Sequence, residues 1–100
     1  MKGVYIMKSI IAFDMVGCPY CANAHKAIQE LINENPTFKS IPIQWVDDAN
    51  AGELFKTHPY TYVPNMWFDT NKQYEAHPGE TYEETKSKIK TVLENALKAI

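Results

Sequence analysis

Residues 9–36 read SIIAFDMVGCPYCANAHKAIQELINENP, and the punctuation of this stretch decides the fold class. Ser9–Phe13 is an apolar run of strand length. Pro19 stands at the one helical position where its missing N–H does no harm, the first. Ala24, Ala27, Ile28, Leu31 and Ile32 then recur at helical spacing until Asn35-Pro36 ends the helix. A strand feeding a helix through a short polar turn is the opening half of a β-α-β unit.

Downstream, Ile41–Val46 (IPIQWV) reads as a second strand with Ile41, Ile43 and Trp45 on one face. DANAGELFKTH reads as a short second helix. Val63–Phe68 (VPNMWF) and Lys72–Ala76 read as two more strands joined by the turn Asp69-Thr70-Asn71. Thr81 and Glu84 have capping-box spacing. Tyr82, Ile89, Val92, Leu93, Ala96, Leu97 and Ile100 mark one apolar stripe of a final helix. The expected order is β-α-β-α-β-β-α. The first pair of strands, joined by a crossover helix, should be parallel, and the last pair an antiparallel hairpin. The expected architecture is α/β, a mixed four-stranded sheet flanked by helices.

At 100 residues and 45 % hydrophobic, the chain is expected to form one domain spanning residues 1–100. The net charge of −2, with ten lysines and no arginine, offers no electrostatic footprint for nucleic acid. The leading MKGVYIMKSIIAF resembles a signal only briefly. Lys8 and Ser9 break its apolar run and no small-residue cleavage site follows. No run approaches the roughly 20 apolar residues of a membrane span. Residues 1–7 are expected to be an extra strand or a loose leader, and the protein a cytoplasmic monomer.

The two cysteines, Cys18 and Cys21, are spaced C-x-x-C. So small a loop constrains the unfolded chain little, which makes a structural staple a poor explanation. Inside a strand–helix–strand pattern the spacing reads as a redox motif. With Cys18 at the N-cap, the first amides of the helix and the positive end of its dipole point at the sulfur and favour the thiolate. Cys18 is then the nucleophile and Cys21, one turn on, the resolving thiol. Cys18, Cys21 and His25 could instead supply three zinc ligands, but neither His58 nor His77 stands at zinc spacing. His25 reads better as a helix-surface or packing residue, and His58 and His77 as loop residues.

Pro64 is ordinary as the first residue of a strand. Beside a reactive cysteine, a cis Val63–Pro64 bond is the alternative, turning the Val63 N–H and C=O toward a substrate backbone. Asp14 would oppose a nearby thiolate, and is expected to face solvent. Tyr60, Tyr62, Trp67 and Phe68 read as core aromatics. Tyr20, in the middle of the C-x-x-C turn, is expected at the rim of a substrate site.

Cys18-Pro19-Tyr20-Cys21 together with Tyr62-Val63-Pro64 resembles the glutaredoxin–thioredoxin family, over most of the chain from Ser9 to the final helix. The resemblance implies a thioredoxin-like fold and a thiol–disulfide oxidoreductase with catalytic Cys18 and Cys21. It also implies substrate contacts from Tyr20, Val63 and a cis Pro64. No bound cofactor is implied; glutathione or a flavin-dependent reductase would supply electrons, and disulfide-containing proteins or glutathione mixed disulfides would receive them. Some glutaredoxins carry an iron–sulfur cluster shared between two chains with glutathione, which is one alternative; a thioredoxin-like electron donor to a reductive enzyme is the other. The chain departs from the dithiol glutaredoxin pattern at Met15, where a lysine is usual. It departs again at His77-Pro78-Gly79-Glu80-Thr81, where a Gly-Gly-acidic stretch is usual. Ala12 stands where thioredoxins place a buried aspartate.

Overall fold

The sheet is built around the strand read first. In this computed structural model, which describes residues 9–98, β1 (Ile10–Asp14) lies second in a four-stranded sheet of order β2-β1-β3-β4. It pairs in parallel with β2 (Ile43–Asp47) and antiparallel with β3 (Asn65–Phe68), which pairs antiparallel with β4 (Asn71–Glu75). The helices are α1 (Pro19–Glu34), the single-turn α2 (Leu54–Thr57) and α3 (Tyr82–Lys98). The order matches the one expected, and the sheet is mixed as expected. Residues 1–7, expected as an extra strand or a leader, and Ile100 lie outside the described residues. Among those described, no helix is long and apolar enough to cross a membrane.

Strand alternation divides the core into two layers. Ile10 and Ala12 of β1 and Met66 and Phe68 of β3 face α1 and α3, packing on Ala27, Leu31, Ile89 and Leu93. Phe13 and Trp67 face the other side and pack with Ala51, Leu54 and Tyr60. Both strands are central, so they are covered on both faces, and all four residues of β3 are buried. Each large apolar side chain so enclosed stabilises the fold by about 1.5–3 kcal/mol.

β1 and β4 are shifted by one residue from the sequence reading, and three further boundaries differ from it. β2 begins at Ile43 rather than Ile41, because Ile41 closes a 3₁₀ segment (Pro36–Ser40) by donating its N–H to Phe38 O at 3.1 Å. The expected second helix is broken into a 3₁₀ turn (Asp48–Asn50) and α2, with Gly52 at φ +52° between them. The third strand begins at Asn65 rather than Val63, since the Val63–Pro64 bond is cis and leaves the chain in a turn there. The hairpin that follows is tight: Phe68 pairs with Asn71 across Asp69-Thr70, with Asp69 at φ +51°.

His58 is not the plain loop residue it looks in sequence. It caps α2, is 7 % exposed, and its Nε2 lies 2.7 Å from the Asp69 carbonyl, with Nδ1 2.8 Å from the Thr57 hydroxyl. The imidazole therefore ties α2 to the β-hairpin.

Candidate active site

β1 ends at Asp14, and Met15-Val16-Gly17 turn the chain into α1. Gly17 has φ +79°, a conformation that side-chain-bearing residues seldom adopt. The turn closes with Cys18 N–H donating to Met15 O at 3.3 Å. Cys18 is the N-cap of α1 in an extended conformation, Pro19 is the first helical residue, and the Cys21 N–H donates to Cys18 Sγ at 3.1 Å. A helix start leaves its first amides unpaired. Here a sulfur accepts one of them, and no acidic side chain occupies the first turn.

The two free cysteines differ in access. Cys18 is half-buried, whereas Cys21 is 4 % exposed. Burial pushes the Cys21 thiol from 9.0 up to about 12; its hydrogen bond with Cys18 adds to the shift, a backbone bond at Met15 opposes it, and the charges of Cys18 and Asp14 raise it further. Cys21 is therefore a protonated thiol at neutral pH.

Opposite Cys18 lies the loop that precedes β3. The Cys18 Sγ is 3.8 Å from Val63 O, its acceptor across 45 residues of sequence. Asn65, fully buried, holds this loop: its Nδ2 donates to Tyr62 O at 3.0 Å, and its Oδ1 accepts from Trp67 Nε1 at 2.6 Å. Glu75 of β4 holds it from the other side. Its Oε2 accepts from the N–H of Thr61 at 2.7 Å and of Tyr62 at 2.6 Å, and its Oε1 from Lys72 Nζ at 2.6 Å. Burial alone would raise the Glu75 pKa, but the Lys72 bond and the two amides outweigh it and hold the carboxyl below its usual range.

A cleft of about 370 Å³ separates the two loops, lined by Cys18, Tyr20, Asp48, Tyr60, Tyr62 and Val63 among others. A larger cavity, about 560 Å³, opens at the far end of the sheet between Ser9, Pro42, His58 and Asp69. Size favours the latter, but it holds no thiol, and its His58 is taken up by backbone and hydroxyl partners. The accessible cysteine lies at the smaller cleft.

Comparison with known proteins finds no family profile and no curated protein that matches the chain. The site must be read from its own residues.

Of the residues singled out in the sequence, Cys18, Tyr20 and Val63 meet at this cleft, with Cys21 buried one turn behind Cys18. The Tyr20 hydroxyl accepts the Gly79 N–H at 2.8 Å, so the tyrosine bridges the C-x-x-C turn to the 77–80 loop. Pro64 is fully buried behind the cleft, and its carbonyl accepts the Ala76 N–H at 3.0 Å. Asp14 does not face open solvent as expected. Its Oδ2 is 2.9 Å from Nε2 of His25, whose ring lies on Trp45 at a centroid distance of 4.1 Å. The strand end and the second turn of α1 come together here, and the pairing satisfies the carboxylate. Tyr62 departs from the core reading, at 46 % exposed; Tyr60 is half-buried, packing on Phe13 while it also lines the cleft, and Trp67 and Phe68 are buried as expected. Cys18, Cys21 and His25 are not gathered as ligands; no group of three metal-ligating side chains exists among the described residues.

Sequence reasoning missed Asn65, Glu75 and Glu80. Asn65 had a signal, a lone amide inside an apolar strand, which burial obliges to find partners. Glu75 and Glu80 had none, because their partners are distant in sequence. Glu80 is 4 % exposed; its Oε2 accepts from the Tyr74 and Thr85 hydroxyls. Its Oε1 has no hydrogen-bond partner, with Lys88 Nζ at 3.6 Å and His77 Nε2 at 3.7 Å too far for one but near enough for charge attraction.

Proposed function

We propose that this chain is a thiol–disulfide oxidoreductase of thioredoxin-like fold, with Cys18 as nucleophile and Cys21 as resolving thiol. The observation that carries the reading is the accessible Cys18 sulfur at the N-cap of α1, accepting the Cys21 amide, with a buried thiol one turn behind it. The cis Val63–Pro64 bond beside Cys18 and the β-α-β-α-β-β-α order add support.

The chemistry follows from the difference between the thiols. The Cys18 thiolate attacks one sulfur of a client disulfide; a new S–S bond forms, the client bond breaks, and the second client sulfur leaves as a thiolate. Loss of the Cys18 proton also releases Val63 O from its thiol donor, so this carbonyl can pair with the client main chain. Cys21 then attacks Cys18 Sγ, giving its proton to the departing client sulfur. The products are a Cys18–Cys21 disulfide and a client dithiol, two electrons having passed to the client. A thiol reductant, glutathione or a flavin-dependent reductase, returns two electrons and restores both thiols. Burial of Cys21 keeps it from competing as the first nucleophile, yet leaves it one helical turn from the sulfur it must reach.

The test is a pair of variants assayed with a protein disulfide. Cys18→Ser should abolish reduction, and Cys21→Ser should accumulate a covalent Cys18–client adduct visible by intact mass. Near-full activity of Cys18→Ser would overturn the assignment.

A further inference from the structure

The cleft at Cys18 has a chemical character that selects among disulfides. Four large apolar side chains are conspicuously exposed among the described residues: Met15 at 47 %, Val16 at 87 %, Phe55 at 46 % and Tyr62 at 46 %. Three of them, Met15, Val16 and Tyr62, sit in the two loops that flank Cys18. Surface apolar groups gathered at one place mark a contact site. Three backbone donors near the cleft that could receive an anion are already engaged. Thr61 and Tyr62 give their N–H groups to Glu75, and Gly79 gives its N–H to the Tyr20 hydroxyl. No lysine is among the residues lining the cleft, and its charged member is Asp48. Asp48 stays at the cleft wall because Oδ1 accepts the Tyr60 hydroxyl. Burial, then this bond, then the charges of Asp48 and Asp47 raise the Tyr60 pKa.

Resting on the oxidoreductase reading, we infer that the client is an extended protein segment with an apolar residue and a cationic residue beside its disulfide cysteine, and that Asp48 selects for that cation over anionic disulfides such as those of glutathione. Glutathione carries two carboxylates and one ammonium. In this cleft its carboxylates would meet Asp48 and find the Thr61, Tyr62 and Gly79 amides occupied. A lysine or arginine beside the client cysteine meets Asp48, and an apolar neighbour covers Met15, Val16 and Tyr62. The exchange itself is unchanged: client S–S breaks, Cys18–client S–S forms, and the client sulfur leaves as thiolate. Attraction across such a cleft acts mainly on encounter and orientation, and weakens with salt.

The experiment compares second-order rate constants of the reduced full-length protein with three mixed disulfides. Two are peptides, Leu-Cys flanked by lysines and the same peptide flanked by glutamates; the third is the glutathione mixed disulfide. Neutral dithiodipyridine is the reference. At low ionic strength the lysine peptide should react about tenfold faster than the glutamate peptide, the size expected when two partly exposed charge contacts reverse sign. The ratio should shrink toward one in about 1 M salt, and Asp48→Asn should reduce it by about threefold. A glutathione substrate as fast as the lysine peptide would overturn the inference, as would a charge ratio untouched by Asp48→Asn. Reaction with dithiodipyridine but no charge preference would sink this inference and leave the oxidoreductase reading standing; no reaction at Cys18 with any probe would sink both.

Discussion

The amino ends of α1 and α3 lie in one small domain and meet the same physical demand with different chemistry. Each helix begins with amides that have no partner within the helix. At α3 the Thr81 hydroxyl accepts the Glu84 N–H at 3.1 Å, and the Glu84 carboxylate accepts the Thr81 N–H at 2.9 Å. Glu83 and Glu84 supply negative charge to the first turn. The Thr81 bond, chiefly, holds the Glu84 carboxyl below its usual range, so the cap is complete at neutral pH. At α1 the acceptor is the Cys18 sulfur, and no carboxylate shares the first turn. A thiol sulfur is a weak acceptor; a thiolate is a far better one. The cap of α1 is therefore the weaker of the two, and the helix dipole there has no carboxylate to favour. One end is finished and serves stability, while the other is left incomplete in a way that a reactive sulfur completes.

The largest expected effect lies just before α3. Glu80→Ala should strand the buried Tyr74 hydroxyl, leave Thr85 only its bond to Thr81 O, and cost about 2–4 kcal/mol in denaturant unfolding. A loss below about 1 kcal/mol would mean that the α3 end is not the stabilising one. Next comes the alkaline response of the α1 end. The folded-state pKa of Cys21 is raised from 9.0 to about 12, so its contribution to stability is present below pH 9 and is lost as pH climbs from 9.0 toward 12. Thermal melts of the reduced protein should fall over that range, and Cys21→Ser should flatten the fall. An identical decline in Cys21→Ser would assign it elsewhere. The smallest effects form a matched pair. Thr81→Ala should cost about 1 kcal/mol of stability and leave the rate of reaction with a neutral disulfide within about twofold. Ala22→Glu, which gives α1 the acid its first turns lack, should slow that reaction about threefold at neutral pH with little change in stability. If the two variants exchanged effects, the contrast between the helix ends would be broken.

Several features were legible locally because their causes are local. Pro19 can only begin a helix, Asn35-Pro36 can only end one, and Thr81 with Glu84 announce the α3 cap at a spacing of three. The apolar run Ser9–Phe13 marked a strand, and its division between two core layers came only with the fold. The bounds of β2 and the break in the second helix were less legible. They turn on which carbonyl an amide such as Ile41 N–H finds, and on a glycine that looks equally at home inside a helix or between two turns. The site was half visible. Cys18, Cys21 and Tyr20 share one turn of chain, and the Val63–Pro64 step was the other suspect.

What closes the site on its second side joins residues far apart in sequence. Glu75 reaches Thr61 and Tyr62 only because β4 pairs with β3 beside that loop, and Asp14 reaches His25 only because α1 runs back across the sheet. Tyr20 meets Gly79 across 59 residues. The sequence by itself therefore determined the order of elements, the strand directions and the pair of thiols at a helix start, since each follows from spacing within a few residues. Tertiary structure alone decided how deeply Cys21 is buried, what holds the loop that faces Cys18 and which donors around the cleft are already engaged. Burial and pairing at those positions depend on chain segments that local spacing does not relate.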